Sequence, residues 1–429
     1  MYDPSGRGRV RSRRVTVLLG LVPGLVVAMP TPAQSVPIAI TAQRIIDGTG
    51  VLIPNASVIV EDGRIVSVGA RPRGFRGVIY NLGDATVMPG LIDVHAHADW
   101  HFNAQGRLHT PDDGETPVQS ALAAAANAYE MLMAGITTIQ SPGSAADKDL
   151  RDAIARGGVP GPRILTSLGS LSERSGDTAQ IRRRVRAFKA DGADLIKIFA
   201  SGSIRDGGAP TMTQLQLDAA CGEARAVGLR AIVHAHAEEA MRRAVDAGCN
   251  QIEHGLFATP EILALMAQRG TYFSPQCGLI FRNYLENRAR YEGIGNYNAE
   301  GFAAMERSLP QSIETIRRAV ATRGLKVVFG SDAVAGAHGR NVEDLICRVR
   351  EAGQSRMDAI TMATSRSAES LQLADSIGKL HRGMVADIIA VAGNPLDNFL
   401  MMRRVIFVMK GGRVYRNDGR RLMQAVEGQ

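Results

Sequence analysis

The chain has 429 residues, of which 45% are hydrophobic and 21% are charged, with a mean hydropathy of −0.04. These values are typical of a soluble globular protein and exclude a disordered chain, a collagen-like repeat and a polytopic membrane protein. The formal net charge is +8, but half of this excess lies in the first 33 residues. We interpret the arginines between Arg182 and Arg186 as a solvated helix face and expect no nucleic-acid partner.

The first 33 residues predict an export signal. Five arginines precede an apolar run from Val15 to Met29, and small residues up to Ala33 suit cleavage by signal peptidase. The alternative is a membrane anchor, although the run is shorter than the roughly 20 residues that a spanning helix needs. Because Ser12-Arg13-Arg14 resembles part of a twin-arginine signal, both common export routes stay open. We expect a secreted or periplasmic protein with no stable membrane partner.

Cys221, Cys249, Cys277 and Cys347 form no Cys-x-x-Cys motif, and each lies in an apolar or helical context. They could pair in an oxidising compartment, but the sequence favours buried free thiols.

Both ends of the mature chain are rich in short β-branched runs. The N-terminal runs extend from Ile38 to Val68, and Asp62-Gly63 between two of them is a strong hairpin signal. Similar runs return between Ala386 and Val391 and between Val405 and Tyr415. The two ends are therefore predicted to pair in one small sheet domain.

Between these ends, eight strand-like runs alternate with segments able to form helices, such as Pro117–Ala134. The predicted strands are Leu91–His97, Ile136–Gln140, Arg163–Ser167, Leu195–Ala200, Ala231–His236, Gln251–His254, Tyr272–Pro275 and Lys326–Ser331. This pattern predicts an α/β fold with parallel βα units, and eight units favour a (β/α)8 TIM-like barrel over an open doubly wound sheet. The segment Gly278–Leu309 is predicted to be an insertion, either a lid or a surface elaboration.

Ionisable residues collect at the ends of these strands, where the side chains of a barrel share one mouth. His95 and His97 are two residues apart, so both imidazoles lie on one face of a strand and can hold one metal. Further candidates end other strands: Lys197, His234, His236, His254 and Asp332. A lone histidine at a strand end is more often a hydrogen-bonded core residue, so the prediction depends on the combination.

Lys197 stands between apolar neighbours in Leu195-Ile196-Lys197-Ile198-Phe199. An unpaired buried ammonium costs several kcal/mol, so such a lysine normally either extends its amine to solvent or has a lowered pKa, and a barrel interior offers little room for the first. Its neutral amine could react with carbon dioxide to give a carbamate, which is an oxygen ligand able to bridge two cations.

Five motifs together resemble the metal-dependent amidohydrolase superfamily. They are Val87–His97, Ile196–Ile198, Val233–His236, Ile252–Gly255 and Gly330–Ala333. The resemblance runs from about Ile38 to Tyr415 and is closest to the imidazolonepropionase-like branch, which includes Xaa-Pro dipeptidases, carboxypeptidases and ochratoxinase-like amidases. After the signal peptide predicted at 1–33, it implies a β-sandwich domain built from 34–86 and 376–429 and a barrel at 87–375. Gly383–Ile388 would be the strand that re-enters the sandwich.

The resemblance also implies the role of each site residue. His95 and His97 would bind the first metal, carboxylated Lys197 would bridge both metals, and His234 and His254 would bind the second. Asp332 would bind the first metal and act as the general base, while His236 would reach the substrate.

Two divalent cations held about 3.5 to 4 Å apart present a bridging hydroxide near neutral pH, which would attack the scissile carbonyl. Asp332 would take up the proton and pass it to the leaving nitrogen. The ligand types favour zinc, with manganese or cobalt as alternatives.

The substrate-binding loops differ from those of the peptidase members. An Arg-Asp pair and a Gly-Gly-His element of those enzymes are replaced here by Ile139–Pro142 and Ser167–Ser172. The remaining candidates for substrate contacts are Arg205, Tyr272, His338 and Arg340, and an arginine near the mouth can bind a carboxylate bidentately. An exposed arginine in a solvated loop is the alternative for each of the two arginines.

The sequence thus predicts a hydrolase that cleaves the amide bond of a small N-acyl amino acid or dipeptide with a free carboxylate. A cyclic-amide hydrolase and a phosphotriesterase or lactonase are alternatives on the same scaffold. A noncatalytic binding protein is a third, although binding alone needs no general base. Homo-oligomer formation and the choice of metal stay open.

Overall fold

The computed structural model describes residues 36–418 and 422–424. The predicted export signal, residues 1–33, lies outside the described residues. Within the described ranges, every helix is too short or too polar to cross a bilayer.

The N-terminal part of the fold is a group of five strands: β1 (Ile38–Ile46), β2 (Leu52–Glu61), β3 (Arg64–Gly69), β4 (Val78–Asn81) and β5 (Ala85–Pro89). The predicted hairpin is confirmed, because β2 pairs antiparallel with β3. Asp62 and Gly63 form its turn with φ angles of 48° and 74°. A two-residue turn of this kind needs positive φ at both positions, which Asp-Gly adopts at little cost.

The middle of the chain contains the predicted βα units. Its strands are β6 (Leu91–Asp93), β7 (Ile136–Ser141), β8 (Arg163–Thr166), β9 (Ser170–Leu171), β10 (Leu195–Phe199), β11 (Arg230–Ala235), β12 (Gln251–His254), β13 (Tyr272–Ser274) and β14 (Lys326–Val327). Its helices are α1 (Pro117–Met133), α2 (Asp147–Ala155), α3 (Thr178–Ala190), α4 (Gln214–Ala226), α5 (Glu238–Asp246), α6 (Pro260–Arg269), α7 (Leu279–Glu286), α8 (Arg288–Tyr291), α9 (Ala299–Ala321), α10 (Val342–Arg350), α11 (Arg356–Thr361) and α12 (Ser367–Ser370). Short 3₁₀ turns cover Glu173–Ser175 and Ile204–Asp206, and a π-turn covers Met362–Arg366.

Local sequence explains where the helices begin. Thr116 caps α1 in a reciprocal capping box with Gln119, and Pro117 occupies the first turn. Proline is tolerated there because its missing N–H has no partner inside the helix. Asp177 and Thr213 form the same box at the starts of α3 and α4.

All these middle strands pair in parallel, in a three-stranded sheet β6-β7-β8 and a six-stranded sheet β9 to β14. The described strands therefore do not form one closed sheet, although backbone hydrogen bonds join the sheet edges. The Val94 N–H donates to the Phe329 carbonyl at 2.8 Å, and the Asp194 N–H donates to the Thr166 carbonyl at 2.8 Å. At the first edge the Asp332 N–H also donates to the His95 carbonyl and the His97 N–H to the Ala333 carbonyl. The Asp93 side chain accepts the N–H groups of both His95 and Ser331.

The C-terminal strands are β15 (Ile388–Ala392), β16 (Val405–Lys410), β17 (Arg413–Asn417) and β18 (Leu422–Gln424), and a 3₁₀ turn covers Phe399–Arg403. They join the N-terminal strands as predicted, because β15 pairs antiparallel with β5 from Ile388 opposite Pro89 to Ala392 opposite Ala85. The strands of the two ends hydrogen-bond into one nine-stranded sheet, where the sequence predicted a sandwich.

The apolar core is divided in the same way. One buried cluster lies between the parallel strands and their helices and includes Ile136, Ile198, Val233 and Phe329. A second cluster lies on the nine-stranded sheet and includes residues from both chain ends, such as Ile40 and Phe407.

The prediction of free thiols is wrong. Cys221 pairs with Cys249, with their Cα atoms 5.2 Å apart, and Cys277 pairs with Cys347, with their Cα atoms 5.9 Å apart. Both separations lie in the range that a disulfide requires. The apolar sequence context could not reveal this, because the partners are 28 and 70 residues apart and meet only through the packing of neighbouring βα units.

Candidate metal centre

The ends of the parallel strands surround a cavity of about 200 Å³. Eight of the predicted site residues line it: His95, His97, Lys197, Arg205, His234, His236, His254 and Asp332. They come from five different strand ends, so the fold alone brings them together. This is the arrangement in which barrel-like folds carry their chemistry.

His95, His97 and Asp332 form the tightest group in the cavity. The Nε2 atoms of His95 and His97 lie 3.6 and 3.2 Å from Oδ1 of Asp332. One ligand atom from each residue lies within 4.8 Å of the other two, which is close enough for all three to hold one metal ion. The strand ends at Asp93, earlier than predicted, so His95 and His97 follow β6, but both imidazoles face the Asp332 carboxylate, as expected for ligands of one metal.

Lys197 lies on β10 at the floor of the cavity and is 1% exposed. Its Nζ atom is 3.3 Å from Nε2 of His95, and the Phe199 ring lies 5.1 Å away. Burial lowers the pKa of the Lys197 amine, against the opposing effect of the nearby Glu253 and Asp332 carboxylates. An amine in this setting exists in its neutral form more readily than an exposed lysine does.

His234, His236 and His254 form a second imidazole group beside the first. Ring centroids of His234 and His254 are 4.5 Å apart, and those of His95 and His254 are 5.1 Å apart. Nε2 of His234 lies 3.2 Å from the Gly202 carbonyl, which can only accept a hydrogen bond. Nδ1 of His254 lies 2.7 Å from the Gln276 amide oxygen. Each contact fixes one ring nitrogen as a donor and leaves the other with a lone pair for a ligand.

Burial makes these imidazoles neutral. It lowers the pKa of His95, His234 and His254 well below the ordinary value, and the positive charge of Lys197 adds to the effect. Burial lowers the pKa of His236 to about 3. Neutral imidazoles are the form that binds a metal.

The charge of Asp332 complements these groups. Burial raises the pKa of its carboxyl, but His95 and His97 more than offset this and hold the pKa below its ordinary value. The residue is therefore an ionised carboxylate facing a set of neutral nitrogen donors.

Two site residues have a strained backbone. His254 and Asp332 adopt φ angles of 67° and 57°, in the left-handed region that non-glycine residues rarely occupy. Such strain persists where surrounding contacts hold it, and it is concentrated at functional sites. Gly330 permits a further close approach, because a Cβ atom there would lie 2.3 Å from Ser274 Oγ and 2.9 Å from the Cβ atom of His95.

Two residues that contact these candidate ligands, Glu253 and Gln276, were not predicted from the sequence. Oε2 of Glu253, which is fully buried, lies 2.9 Å from Nδ1 of His95. Burial raises the pKa of Glu253 to about 7. Gln276 orients His254, as described above. A carboxylate inside a buried strand, directly before His254, was the signal that could have identified Glu253.

Asp93 forms a second support beneath the metal centre. Its carboxylate accepts hydrogen bonds from Ser331 Oγ at 2.5 Å and from Asn341 Nδ2 at 2.8 Å. Together with the backbone N–H groups of His95 and Ser331, these bonds tie the end of β6 to the residues that follow β14. These bonds thereby fix the position of His95 relative to Asp332.

The predicted substrate contacts fall into two groups. Arg205 and His236 line the cavity, whereas Tyr272, His338 and Arg340 are absent from its described lining. Tyr272 stands at the start of β13, away from the mouth, and its hydroxyl donates to Glu369 at 2.8 Å. The prediction that these three residues contact substrate is therefore not supported by their placement.

His338 and Arg340 have structural partners instead. Nε2 of His338 lies 2.9 Å from the His97 carbonyl, and burial lowers its pKa to about 4. Arg340 donates to Glu286 and Glu343, both at 2.8 Å. Asp332 and Val334 of the loop after β14 line the cavity, whereas His338 and Arg340 farther along the same loop do not, which the sequence could not indicate.

The predicted insertion Gly278–Leu309 forms α7, α8 and the first half of α9 and lies over the cavity. Ile280, Phe281, Tyr284 and Met305 contribute apolar side chains to its lining. The same segment forms a buried aromatic cluster with Trp100 and Phe102. The insertion is thus a packed roof of the site.

The donor set fits divalent metal ions. The cavity combines neutral imidazoles, a carboxylate and a buried amine, and Nδ1 of His236 has no hydrogen-bond partner among the described residues. Imidazole and carboxylate ligands of this kind bind zinc and related divalent ions.

Comparison with known proteins agrees with this chemistry. A sequence model of the amidohydrolase family matches residues 86–415. Ochratoxinase of Aspergillus niger is 25% identical over 431 residues, which cover 89% of this chain and 87% of the relative.

Solved structures are similar over nearly the whole chain. A Xaa-Pro dipeptidase with methionine bound in its active site is 29% identical with a TM-score of 0.79, covering 89% of this chain and 100% of that one. A putative prolidase from Bifidobacterium longum is 26% identical with a TM-score of 0.75, covering 90% and 96%. Because the family match spans most of the sequence and includes every residue of the metal centre, the chain belongs to the amidohydrolase family.

Proposed function

We propose that this amide-bond hydrolase uses two divalent metal ions to cleave a small N-acyl amino acid or dipeptide that has a free carboxylate. The observation that carries the proposal is the convergence of His95, His97, Lys197 and Asp332 with His234 and His254 on one cavity. No single one of these residues requires a metal, but six potential ligands in one small cavity have no simpler use.

In this proposal His95, His97 and Asp332 hold the first ion. His234 and His254 hold the second, and Lys197 in its carboxylated form contributes to both. Burial lowers the pKa of the Lys197 amine, which supports carboxylation because only the neutral amine reacts with carbon dioxide. Zinc is the favoured ion.

The metal pair, when bound, would supply an activated water and polarise the scissile carbonyl. Asp332 takes the proton from the attacking water and delivers it to the leaving nitrogen as the amide bond breaks. The His236 ring stacks on that of His254, with their centroids 5.1 Å apart, and lines the cavity wall. In this position it can donate a hydrogen bond to the substrate or accept one from it.

Arg205 supports recognition of a carboxylate. Its guanidinium lines the cavity and stacks on the Tyr297 ring at 4.1 Å, and its Nε donates to Asn296 at 2.6 Å. A guanidinium oriented in this way is preorganised to bind a planar carboxylate. The apolar roof residues suit a hydrophobic side chain on the substrate, and the names of the relatives, ochratoxinase and Xaa-Pro dipeptidase, are consistent with this substrate class.

The test compares the wild type with Lys197→Ala, using Lys326→Ala as a matched control. Lys326 is 42% exposed and pairs with Glu369, far from any proposed ligand. Metal content is measured together with hydrolysis of N-acyl amino acids, Xaa-Pro dipeptides and a cyclic amide. The carbamate is sought by carbon-13 NMR after exchange with labelled bicarbonate.

Loss of bound metal, of the carbamate signal and of hydrolysis in Lys197→Ala alone supports the proposal. Equal metal content and activity in all three proteins contradicts it. Preference for the cyclic amide over the linear substrates would move the assignment to a cyclic-amide hydrolase.

We also propose that the strands β6 to β14 form a (β/α)8 barrel, in which β8 and β9 count as one strand because no helix separates them. Residues 34–86 and 376–429 form a β-sandwich domain beside the barrel at 87–375. The hydrogen bonds between the sheet edges and the pairing of β5 with β15 support this division.

Export is a further part of the proposal. Two disulfides support a secreted or periplasmic location, because disulfides persist in oxidising compartments and are rare in a reducing cytosol. Fractionation of cells that express the full-length chain tests this, and retention of the uncleaved chain in the cytosol would contradict it.

A further inference from the structure

A second group of metal-binding side chains lies outside the cavity, in the loop between β6 and α1. Within this loop Phe102 and Leu108 form an antiparallel bridge. The His109 N–H donates to the His101 carbonyl at 3.0 Å across the same bridge. The two imidazoles consequently stack, with ring centroids 4.6 Å apart and planes inclined by 17°.

Glu115 completes the group from the residues just before α1. Its Oε2 atom lies 2.6 Å from Nε2 of His101 and 3.0 Å from Nδ1 of His109. One ligand atom from each of the three residues lies within 4.8 Å of the others. Oδ2 of Asp113 lies 2.9 Å from the same nitrogen of His109 and offers a further carboxylate oxygen.

The hydrogen bonds of His101 show that its contact with Glu115 needs an added positive charge, either a proton or a metal ion. Its Nδ1 lies 2.7 Å from the Asp99 carbonyl, which can only accept, so Nδ1 carries a hydrogen. In a neutral ring Nε2 is then a lone pair that faces the lone pairs of the Glu115 carboxylate. Only an added proton or a metal ion makes that contact favourable. A histidine whose second nitrogen donates to a backbone carbonyl is also the usual arrangement at a bound metal.

We propose that His101, His109 and Glu115, with Asp113 beside them, bind a divalent transition metal ion of the zinc type. Two neutral imidazoles and two carboxylates balance a charge of two, and nitrogen and oxygen donors of this kind suit zinc. His101 is 4% exposed and Glu115 is 10% exposed, so the ligands are partly desolvated and held in place. The inference does not depend on the assignment of the metals in the cavity.

This metal would stabilise one wall of the active site. Trp100, the residue before His101, lines the cavity, and its ring lies 5.7 Å from that of His97. The loop also contacts the roof, because Leu108 donates its N–H to the Arg290 carbonyl and Arg290 donates to the Gly106 carbonyl. An ion that joins the two strands of the loop to Glu115 would hold both the wall and its contact with the roof.

The test counts zinc ions in the full-length protein after equilibrium dialysis against buffered zinc, for the wild type, Glu115→Gln and His109→Ala. Glu115→Gln keeps the volume of the side chain and can donate its amide hydrogens to His101, so it should fold normally without the metal. His381→Ala is the matched control, since His381 is 47% exposed and pairs with Asp47, a residue of neither proposed metal site. Lys197→Ala separates this site from the cavity.

We expect Glu115→Gln and His109→Ala each to lose one zinc ion per chain, and His381→Ala to lose none. Zinc should also raise the melting temperature of Lys197→Ala but not that of Lys197→Ala combined with Glu115→Gln. A cobalt-substituted Lys197→Ala chain should show the visible absorption of a nitrogen- and oxygen-ligated ion, which Glu115→Gln removes. Equal zinc content in the wild type and both loop variants would overturn the inference, leaving a protonated His101 paired with Glu115. Loss of zinc in the loop variants while Lys197→Ala keeps its full metal content would uphold this site and contradict the proposed metal pair.

Discussion

Replacing Glu253 with leucine should weaken metal binding without unfolding the protein. Glu253 and His95 are both buried, and their closest atoms, Oε2 and Nδ1, are 2.9 Å apart. Neither atom has another hydrogen-bond partner among the described residues, so a small reorientation of the ring lets the carboxylate accept from Nδ1. We expect this contact to hold the hydrogen of His95 on Nδ1 and to keep Nε2 available as a ligand. Leucine has a similar volume but cannot accept this hydrogen, so the ring is free to rotate or to change tautomer.

The size of the effect follows from the kind of contact that is lost. A hydrogen bond to a charged group contributes about 1.5 to 3 kcal/mol, and each 1.4 kcal/mol corresponds to about tenfold in affinity. Residues that orient metal ligands show effects of about 10- to 100-fold when they are replaced. We therefore expect zinc affinity to fall by about 10- to 100-fold in Glu253→Leu. Global stability should not fall in parallel, because leucine also removes the cost of burying a carboxyl group whose pKa is raised to about 7.

The assay is a competition titration of zinc against a coloured chelator, with thermal melting of the metal-free proteins in parallel. Glu253→Gln retains an oxygen that can accept from His95 and should lose less than about tenfold. Glu369→Leu, which removes a half-exposed surface carboxylate, is the control and should bind zinc as the wild type does. Wild-type zinc affinity in Glu253→Leu would refute the role assigned to this carboxylate.

Three further predictions follow from other parts of the molecule. Arg205→Met should raise KM by about 10- to 100-fold for substrates with a free carboxylate and change it little for their carboxamide analogues, measured by steady-state kinetics; an equal effect on both would contradict carboxylate recognition. Replacing Cys277 and Cys347 together with serine should lower the free energy of unfolding by about 4 kcal/mol, because their disulfide closes a 70-residue loop, whereas an unchanged denaturation midpoint would show that the bond contributes little. Burial lowers the pKa of Lys410 to about 8 in the folded protein, so between about pH 8 and 10.5 the unfolded chain binds this proton more tightly than the folded one. The free energy of unfolding of the wild type, measured relative to Lys410→Met by denaturant titration, should therefore rise with pH across that window. A difference that stays constant with pH would contradict the shift.

The segments that differ from the peptidase members have structural partners here. Gln140 donates to the Val94 carbonyl at 2.8 Å and accepts from Arg230 at 2.7 Å, both within the buried core. Ser141 accepts the N–H of Ala98 at 3.1 Å. These residues bind the backbone on either side of His95 and His97, which follow β6. At the position where the peptidase members have the Arg-Asp pair, this chain therefore has residues that support the candidate metal ligands.

The sequence by itself determined the order of the elements and most of the residues of the candidate metal centre. Alternation of strand-like and helical runs gave the βα units, since hydrophobic periodicity is a local property of the chain. The spacing of His95 and His97, and the unusual position of Lys197 among apolar residues, were visible for the same reason. Each of these signals depends on neighbours within a few residues.

Only the tertiary structure decided which distant residues meet. The disulfide partners, the contact of Glu253 with His95 and the approach of Glu115 to His101 all join separate segments, and no local pattern encodes them. Tyr272 stands at the start of its strand and Arg340 on a loop that turns outward, so both predicted substrate contacts lie elsewhere. Parallel strands bring their ends together in space, whereas the direction of each loop and side chain beyond those ends depends on how the roof and the helices pack around them.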